Sequence, residues 1–231
     1  MRQVAALLVG AMGLVSIAHG GAPLSTDDAG VLEPQVCEVE TYAQRLTRSG
    51  IDAVRAVSTQ FGCGIGARSQ IAIGCARAAS GDAHDDALGL AGKSSLFAAD
   101  AAQASPFDLA LAWKLSALRV AGAGFRHEGT ALVLVASHAL GAGVTAHANL
   151  GWAHSQWARA SSTTWNLAAE ALVAAGVELM AEVYGDDRDR PWRGLAARGS
   201  PAQRLSFGIS WAQQSAQPRS RFASIGVKLG F

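Results

Sequence analysis

The chain ends in Arg221-Phe222-Ala223-Ser224-Ile225-Gly226-Val227-Lys228-Leu229-Gly230-Phe231. Apolar residues occupy every second position from Ala223 to Phe231, and the positions between them are mostly small or polar. This period of two predicts a β-strand with one apolar and one mostly polar face. Such a strand either buries its apolar side in a protein core or turns it to lipid in a transmembrane barrel. The rest of the chain decides between these two structures.

The first twenty residues have the parts of a secretory signal peptide. Arg2 gives a positive start, residues 4–17 form an apolar run, and Ala18-His19-Gly20 offers small residues to a signal peptidase. The apolar run is too short to span a membrane comfortably. We therefore predict that residues 1–20 are a cleaved signal peptide and that the exported, mature chain begins near Gly21 or Pro23.

Composition limits what the mature chain can be. About 210 residues remain after the signal peptide, enough for one sizeable domain. The formal net charge of +1 gives no support for nucleic-acid binding. Half of the residues are hydrophobic, yet no long uncharged apolar segment follows the signal peptide, so no transmembrane helix is predicted. Moderate hydrophobicity spread over short alternating segments is typical of β-barrels.

Thirteen segments of the mature chain have a strand-like pattern, separated by turn residues such as Gly and Pro. Segments of about ten residues match a tilted strand that spans a membrane. Single-chain bacterial barrels close with an even number of strands, and segment 117–126 has the weakest alternation. We predict an all-β fold, a transmembrane antiparallel up-and-down β-barrel of about 12 strands over residues 37–231, with 10 strands as the alternative. The segments are 37–46, 53–63, 68–77, 86–96, 106–115, 117–126, 130–139, 143–154, 163–173, 176–185, 191–199, 203–213 and 221–231.

Two stretches of the chain carry distinctive motifs: PLSTDDAGVLEPQVCEVETY, residues 23–42, and LMAEVYG, residues 179–185. Both resemble segments of a group of proteobacterial outer-membrane proteins labelled meta-pathway phenol-degradation or transporter-like. The resemblance implies a β-barrel located in the bacterial outer membrane. The last strand also resembles the closing strand of such barrels, which implies that the barrel-assembly machinery reads Val227, Leu229 and Phe231.

If one parity of each strand faces lipid, the other parity lines the lumen. The lumen set carries both signs of charge, whereas a ring of one sign would indicate ion selectivity. We interpret the mixed set as a narrow polar channel or as an interior filled by ion pairs. The candidate pore-lining residues are Glu38, Glu40, Lys93, Asp108, Lys114, His147, Asn149, Asn166, Glu170, Glu178, Glu182, Arg204 and Lys228.

Residues 21–36 form an irregular N-terminal segment, since Pro, Ser, Asp and Gly interrupt any periodic pattern. Its Thr26, Asp27 and Asp28 either fold into the lumen as a plug or belong to a periplasmic tail. A second irregularity is the Ala-rich stretch 97–105, for which a short helix is plausible.

The chain has three cysteines, Cys37, Cys63 and Cys75, and an odd number excludes complete internal pairing. Cys63 and Cys75 share a parity on neighbouring predicted strands, so a disulfide between them is possible in an oxidising compartment. Free outward-facing thiols are the alternative. No Cys-x-x-Cys or His cluster indicates a metal, and no cofactor is expected. The acidic stretches at 82–86 and 186–190 are most simply solvated loops.

Trp152, Trp165, Trp192 and Trp211 lie near predicted strand ends. This placement favours an aromatic girdle at the lipid boundary.

Three function classes remain. The first is a channel or facilitator for small solutes, including hydrophobic or aromatic ones; the second is a structural or adhesive barrel with a plugged lumen. The third, a lipid-modifying hydrolase, is the weakest. Neighbouring residues such as Ser137 and His138 face opposite sides of a strand, so no catalytic residue is assigned and no enzyme is predicted. The expected partners are outer-membrane lipid, the assembly machinery and an unknown small solute.

Overall fold

The computed structural model describes residues 23–97, 107–120, 123–215 and 218–231, and these residues form a closed barrel of twelve antiparallel strands. Each strand pairs with its neighbours in sequence, and β1 pairs with β12 to close the sheet. The predicted fold class and the count of twelve are confirmed, and no helix occurs among the described residues. The strands are β1 Cys37–Arg48, β2 Val54–Gly66, β3 Ser69–Ser80, β4 Ala83–Phe97, β5 Phe107–Val120, β6 Arg126–Gly141, β7 Val144–Ser155, β8 Ala160–Ala174, β9 Val177–Asp186, β10 Trp192–Ala202, β11 Leu205–Gln214 and β12 Ser220–Gly230.

The signal peptide 1–20 lies outside the described residues, as does the proposed helix from residue 98 onward. None of the described residues belongs to a helix long and apolar enough to cross a membrane.

Segment 117–126 is not a strand of its own. Strand β5 continues to Val120, and β6 begins at Arg126. The segment therefore contains the end of one strand, a connection and the start of the next. A register shift between β5 and β6 at Ser116 and Ala117 further interrupts the apolar–polar alternation. This explains why its alternation is weak.

The two ends of the barrel differ in their connections. The terminal end, where β1 begins and β12 ends, has two-residue turns after β2, β6, β8 and β10, while its fifth connection, residues 98–106 after β4, has nine residues. Ala67 and Arg68 of the first such turn both have positive φ, 48° and 56°, as a type I′ hairpin turn requires. At the distal end, the connection after β3 has two residues, while all others have four or five. Short turns at the end that carries the termini are typical of outer-membrane barrels.

The outer surface of the barrel is apolar. Ile73, Leu150, Leu195 and Ile225, on four different strands, are 59–62% exposed. A water-soluble monomer rarely exposes so many large apolar side chains over a continuous surface. Such a surface suits contact with acyl chains.

Three of the four tryptophans of the predicted girdle point outward. Trp152, Trp165 and Trp211 point outward near the distal end. Trp192 is a correction, because it points inward, stacks on Tyr184 with ring centroids 6.1 Å apart and packs against a buried cluster. Trp192 shares its parity with the inward-facing Gly194 and Ala196, and its position near a strand end could not reveal its side.

The disulfide considered possible between Cys63 and Cys75 is not the one that forms. Cys63 is bonded to Cys37, its direct partner in the register of β1 and β2, with Cα atoms 4.1 Å apart. On β3, the register partner of Cys63 is Ile71, four residues before Cys75. Four residues along a strand span roughly 13 Å, which is beyond the reach of a disulfide. Cys75 is a free, exposed thiol.

Candidate functional site: the lumen and the N-terminal segment

Residues 23–34 cross the inside of the barrel as an extended, irregular segment. At one end, Pro34 forms a bridge with Gly64 of β2, close to the terminal end. At the other end, Pro23 packs over Gly208 of β11, where an added Cβ would approach the proline ring to 3.0 Å. Thr26 is 1% exposed, which places the middle of the segment fully inside.

Glu182 of β9 holds the start of this lumen segment, defined as residues 23–34. Its carboxylate accepts hydrogen bonds from the amide of Ser25 at 3.0 Å and from the amide and hydroxyl of Thr26, both at 2.9 Å. Glu182 is 6% exposed, so these donors replace the water that a buried carboxylate would otherwise need. Consecutive backbone amides aimed at one anion form the kind of concave site that binds negative charge.

Polar side chains of three more strands continue the contact. Asn166 of β8 donates to the Ser25 carbonyl at 2.9 Å. Asn149 of β7 accepts from the Asp27 amide at 2.8 Å and donates to the Asp27 carbonyl at 2.9 Å. Ser137 of β6 accepts from the Ala29 amide at 2.9 Å. An irregular chain inside a barrel must satisfy its backbone in this way, because it has no sheet partner there.

Lys93 of β4 holds the middle of the lumen segment by charge. Its side chain is fully buried, and its Nζ lies 3.0 Å from Asp27 Oδ1 and 3.7 Å from Asp28 Oδ1. It also donates to the Asp28 carbonyl at 2.8 Å. A buried ammonium group without a counter-charge is very costly, so this pair ties the segment to the wall.

Apolar contacts support both halves of the lumen segment. Leu24 belongs to a buried cluster with Ala168, Met180 and Ala196. Ala29 belongs to another, with Ala110 and Val135. Leu32 then donates its amide to Gln70 of β3 at 2.6 Å.

The wall of β2 is shaped to receive the segment where it leaves the lumen. A Cβ on Gly64 would collide with the backbone carbonyl groups of Leu32 and Glu33. Gly64 also exchanges backbone hydrogen bonds with Gln35 and Val36, at 3.1 and 2.9 Å.

The structure places the charged lumen candidates into two further groups. Lys228 of β12 contacts Glu38 and Glu40 of β1, at 2.7 and 3.1 Å. On β10, Arg198 lies 3.3 Å from Glu170 and forms an ion pair with Glu178. Asp108 and Lys114 have the inward parity of β5, opposite Ser137 and Ala131 of β6.

Arg204 is a correction to the lumen set. Strand β10 ends at Ala202 and β11 begins at Leu205, so Arg204 lies in the two-residue turn between them and is exposed. The sequence pattern started that strand two residues too early, because Gln203 and Arg204 continue its alternation.

Sequence reasoning missed Ser137, Arg198 and Gln70 as inward-facing polar residues. Strand β6 is apolar on both faces around Ser137, with Val133 and Val135 inside and Leu132 and Leu134 outside. No polarity contrast marks its inner face. Arg198 shares the parity of the small inward residues Gly194 and Ala196, which is a usable but weak signal.

His147 joins Ser137 to Glu170. Its Nδ1 lies 2.8 Å from Ser137 Oγ, and its Nε2 lies 3.6 Å from Glu170 Oε1. A serine, a histidine and a carboxylate in one row resemble the parts of a nucleophilic site. Here the serine hydroxyl is buried and already accepts from the Ala29 amide, so it positions the lumen segment. Among the described residues, no group of three or more His, Cys, Asp or Glu side chains could hold a metal ion.

At the distal end, a layer of apolar and aromatic side chains points into the lumen. We call it the distal aromatic layer. Trp192 and Phe222 pack against the buried residues of this layer, and Tyr184 stacks on Trp192. The layer lies beyond the lumen segment when the barrel is followed from its terminal end. Its members are Leu46, Val54, Ala78, Tyr184, Trp192 and Phe222.

Barrel and lumen together define the class: a twelve-stranded, porin-like β-barrel with an N-terminal segment inside. The KdgM porin has the same fold over 83% of this chain and 99% of its own, with a TM-score of 0.64 and 6% identity. The NanC porin matches over 83% and 98%, with a TM-score of 0.62 and 6% identity. The toluene transporter TbuX of Ralstonia pickettii matches over 87% and 90%, with a TM-score of 0.52 and 8% identity. At such low identities the likeness shows the fold.

The chain belongs to the family described as "Uncharacterised conserved protein UCP029691", which matches residues 8–229. No curated protein sequence matches the chain.

Proposed function

We propose that this protein is an outer-membrane channel for small solutes whose lumen is closed at rest by its own N-terminal segment. The observation that carries the proposal is the set of contacts between the lumen segment and Glu182, Asn149 and Lys93. These contacts are polar and charged, so water can replace them when the segment withdraws. A barrel with a purely apolar core would have no such alternative.

Several observations favour the outer membrane as the location. The exterior is apolar, the chain starts with a signal-peptide pattern, and four of the five connections at the end that carries the termini are two-residue turns. A lipid-embedded chain must pair all its backbone groups internally, which a closed barrel achieves. The fold is shared with two porins.

The distal aromatic layer supports a narrower proposal about the solute. A solute that passes this layer must slide between Trp192, Phe222 and their apolar neighbours. Small hydrophobic or aromatic molecules are suited to that passage, in line with the resemblance to the phenol-degradation group. The specific meta-pathway label stays a prediction.

The second candidate is a structural or adhesive barrel whose lumen is permanently filled. It is favoured by the number of strands that contact the lumen segment, from β2 to β11. A segment fixed at so many points is costly to remove.

Planar-bilayer conductance separates the two candidates. The mature chain should show rare, brief openings, whereas a variant lacking residues 23–34 should conduct continuously. Gel mobility of heated against unheated samples verifies that both barrels are folded. A folded deletion variant that never conducts would establish the structural barrel and refute the channel.

A further inference from the structure

The distal rim of the barrel carries a concentration of outward-facing arginines. Arg45, Arg55, Arg77, Arg193 and Arg221 are exposed strand residues on the outward parity, and Arg119 is half-exposed. They lie on β10 and on β12, β1, β2, β3 and β5. Among the described residues of β10 and of the strands from β12 through β5, the only outward-facing acidic residue is Asp86. At the terminal end, the outward strand positions that the structure describes have no Lys, Arg, Asp or Glu.

The register joins these arginines into a continuous row. Arg45 lies directly opposite Arg55, and Arg221 is the diagonal neighbour of Arg45, two residues from its partner Ala223. Arg77 is likewise the diagonal neighbour of Arg55, two residues from Ala79. Directly opposite and diagonal side chains on one face of a sheet are about 5 to 8 Å apart, within reach of one another.

The arginine row is incompletely neutralised by the chain itself. Asp86 pairs with Arg77 at 2.7 Å and with Arg119 at 2.7 Å. Within the described part of the chain, Arg45, Arg55 and Arg221 have no ion-pair partner. Two like charges directly opposite on a sheet destabilise it, so a bound anion would relieve a cost already present in the fold.

A small cavity adjoins the row. It has a volume of about 310 Å³ and is lined by Arg48, Arg219, Arg221, Thr47 and Ser49. Three guanidinium groups and two hydroxyl groups are all hydrogen-bond donors. Guanidinium groups bind phosphate oxygens in a two-pronged geometry, which makes a phosphate group the matching ligand.

The height of the row points to a lipid as the source of that phosphate. Arg45, Ala223 and Trp211 are successive partners in one row across β1, β12 and β11. Trp211 points outward, and tryptophan collects at the level where acyl chains meet headgroups. The arginines therefore stand at headgroup height and point away from the lumen. Basic clusters at this height attract anionic lipid.

We propose that this arginine row and the adjoining cavity bind the phosphate groups of a lipid headgroup in the leaflet at the distal end. The assignment rests on the proposed function only in that the barrel is embedded in lipid. It does not depend on whether the lumen conducts.

The test is a binding titration in detergent micelles with diphosphorylated lipid A, compared with dephosphorylated lipid A. The R45Q/R55Q variant removes the paired arginines. The matched control R159Q/R190Q removes two arginines from the connections at the same end, so the change in net charge is identical. The mature protein should bind the phosphorylated lipid about tenfold or more tightly than the dephosphorylated one. R45Q/R55Q should lose that preference, and R159Q/R190Q should keep it.

Equal affinity for the two lipids, or an unchanged preference in R45Q/R55Q, would overturn the proposal. Inorganic phosphate in large excess should leave lipid binding intact, and complete displacement would reassign the site to free phosphate. Gel mobility verifies that the protein is folded, and conductance tests the proposed channel. A folded protein without lipid preference refutes the lipid site alone, and a folded protein without conductance refutes the channel alone.

Discussion

Single buried charges decide where the N-terminal segment lies. Glu182 and Lys93 are both nearly inaccessible, and each contacts the segment directly. In an otherwise filled lumen, the carboxylate needs donors and the ammonium group needs a counter-charge. The segment supplies amides and a hydroxyl to the first and Asp27 to the second. Removing the segment's contact with Glu182 or with Lys93 leaves that buried charge without a compensating partner, which costs free energy.

Glu182→Gln should loosen the segment without changing the size of the side chain. Hydrogen bonds to a charged acceptor contribute about 1.5–3 kcal/mol and those to a neutral one about half as much, so closure should weaken by about 1–2 kcal/mol. The open fraction in planar bilayers should rise accordingly. Glu178→Gln is the control, because its carboxylate pairs with Arg198 and not with the segment. Equal conductance of both variants would refute this role of Glu182.

Asp27→Asn should destabilise the barrel more than the double change Asp27→Asn with Lys93→Met. The single variant removes the nearer of the two carboxylates that pair with the buried ammonium group and keeps the longer contact to Asp28, and breaking a buried pair costs about 3–5 kcal/mol. The double variant removes the charge as well. The temperature at which gel mobility changes measures the difference. If the single and double variants change mobility at the same temperature, the charges of Asp27 and Lys93 do not stabilise each other.

For single residues, the sequence predicted the strand face on which a side chain lies better than the contacts that the side chain makes. Alternation placed Glu182, Asn149 and Lys93 on the inner face, because a strand has two faces and these residues share one with other polar residues. It misplaced Arg204, which lies in the turn before β11. Trp192 was misplaced for another reason, since its position near a strand end does not show which face it occupies. The contacts of Thr26 and Asp27 could not be predicted, because an irregular segment has no period to read.

Strand pairing defines the elements of the barrel, and the register between strands determines which cysteines lie close enough to form a disulfide. Cys37 and Cys63 are register partners, while Cys63 and Cys75 are separated by four residues along the sheet. Parity alone allowed the wrong pair, since all three residues face outward. The two-residue β2–β3 turn and the register shift between Gly64 and Gly66 together set the offset between those strands. Periodicity therefore predicted the number of strands and their faces, whereas the offsets between strands could be read only from the structure.

Cys37→Ala with Cys63→Ala should lower the free energy of unfolding by about 3 kcal/mol, since the bond closes a loop with a sequence separation of 26. Cys75→Ala is the control and should change it little, because that thiol is free and exposed. Urea unfolding in micelles measures both. After the protein is unfolded without reductant, maleimide should label one thiol. Labelling of three thiols would contradict the disulfide.

The whole molecule is a cylinder with opposite chemistry on its two sides. Large apolar side chains cover the exterior, and charged or polar side chains surround the lumen segment inside. Both sides follow from one alternation along each strand, which explains why composition and periodicity predicted the barrel. The distal aromatic layer is the exception, since it places Trp192 and Phe222 on the inside.

Quenching of tryptophan fluorescence by brominated phospholipids tests the central claim most directly. In variants that keep a single tryptophan, Trp211 should be strongly quenched, since it points outward and is 46% exposed. Trp192 should be quenched little, because it packs inside the barrel. Strong quenching of Trp211 alone is the predicted result. Equal quenching of the two, or none of either, would contradict a barrel whose apolar exterior contacts lipid.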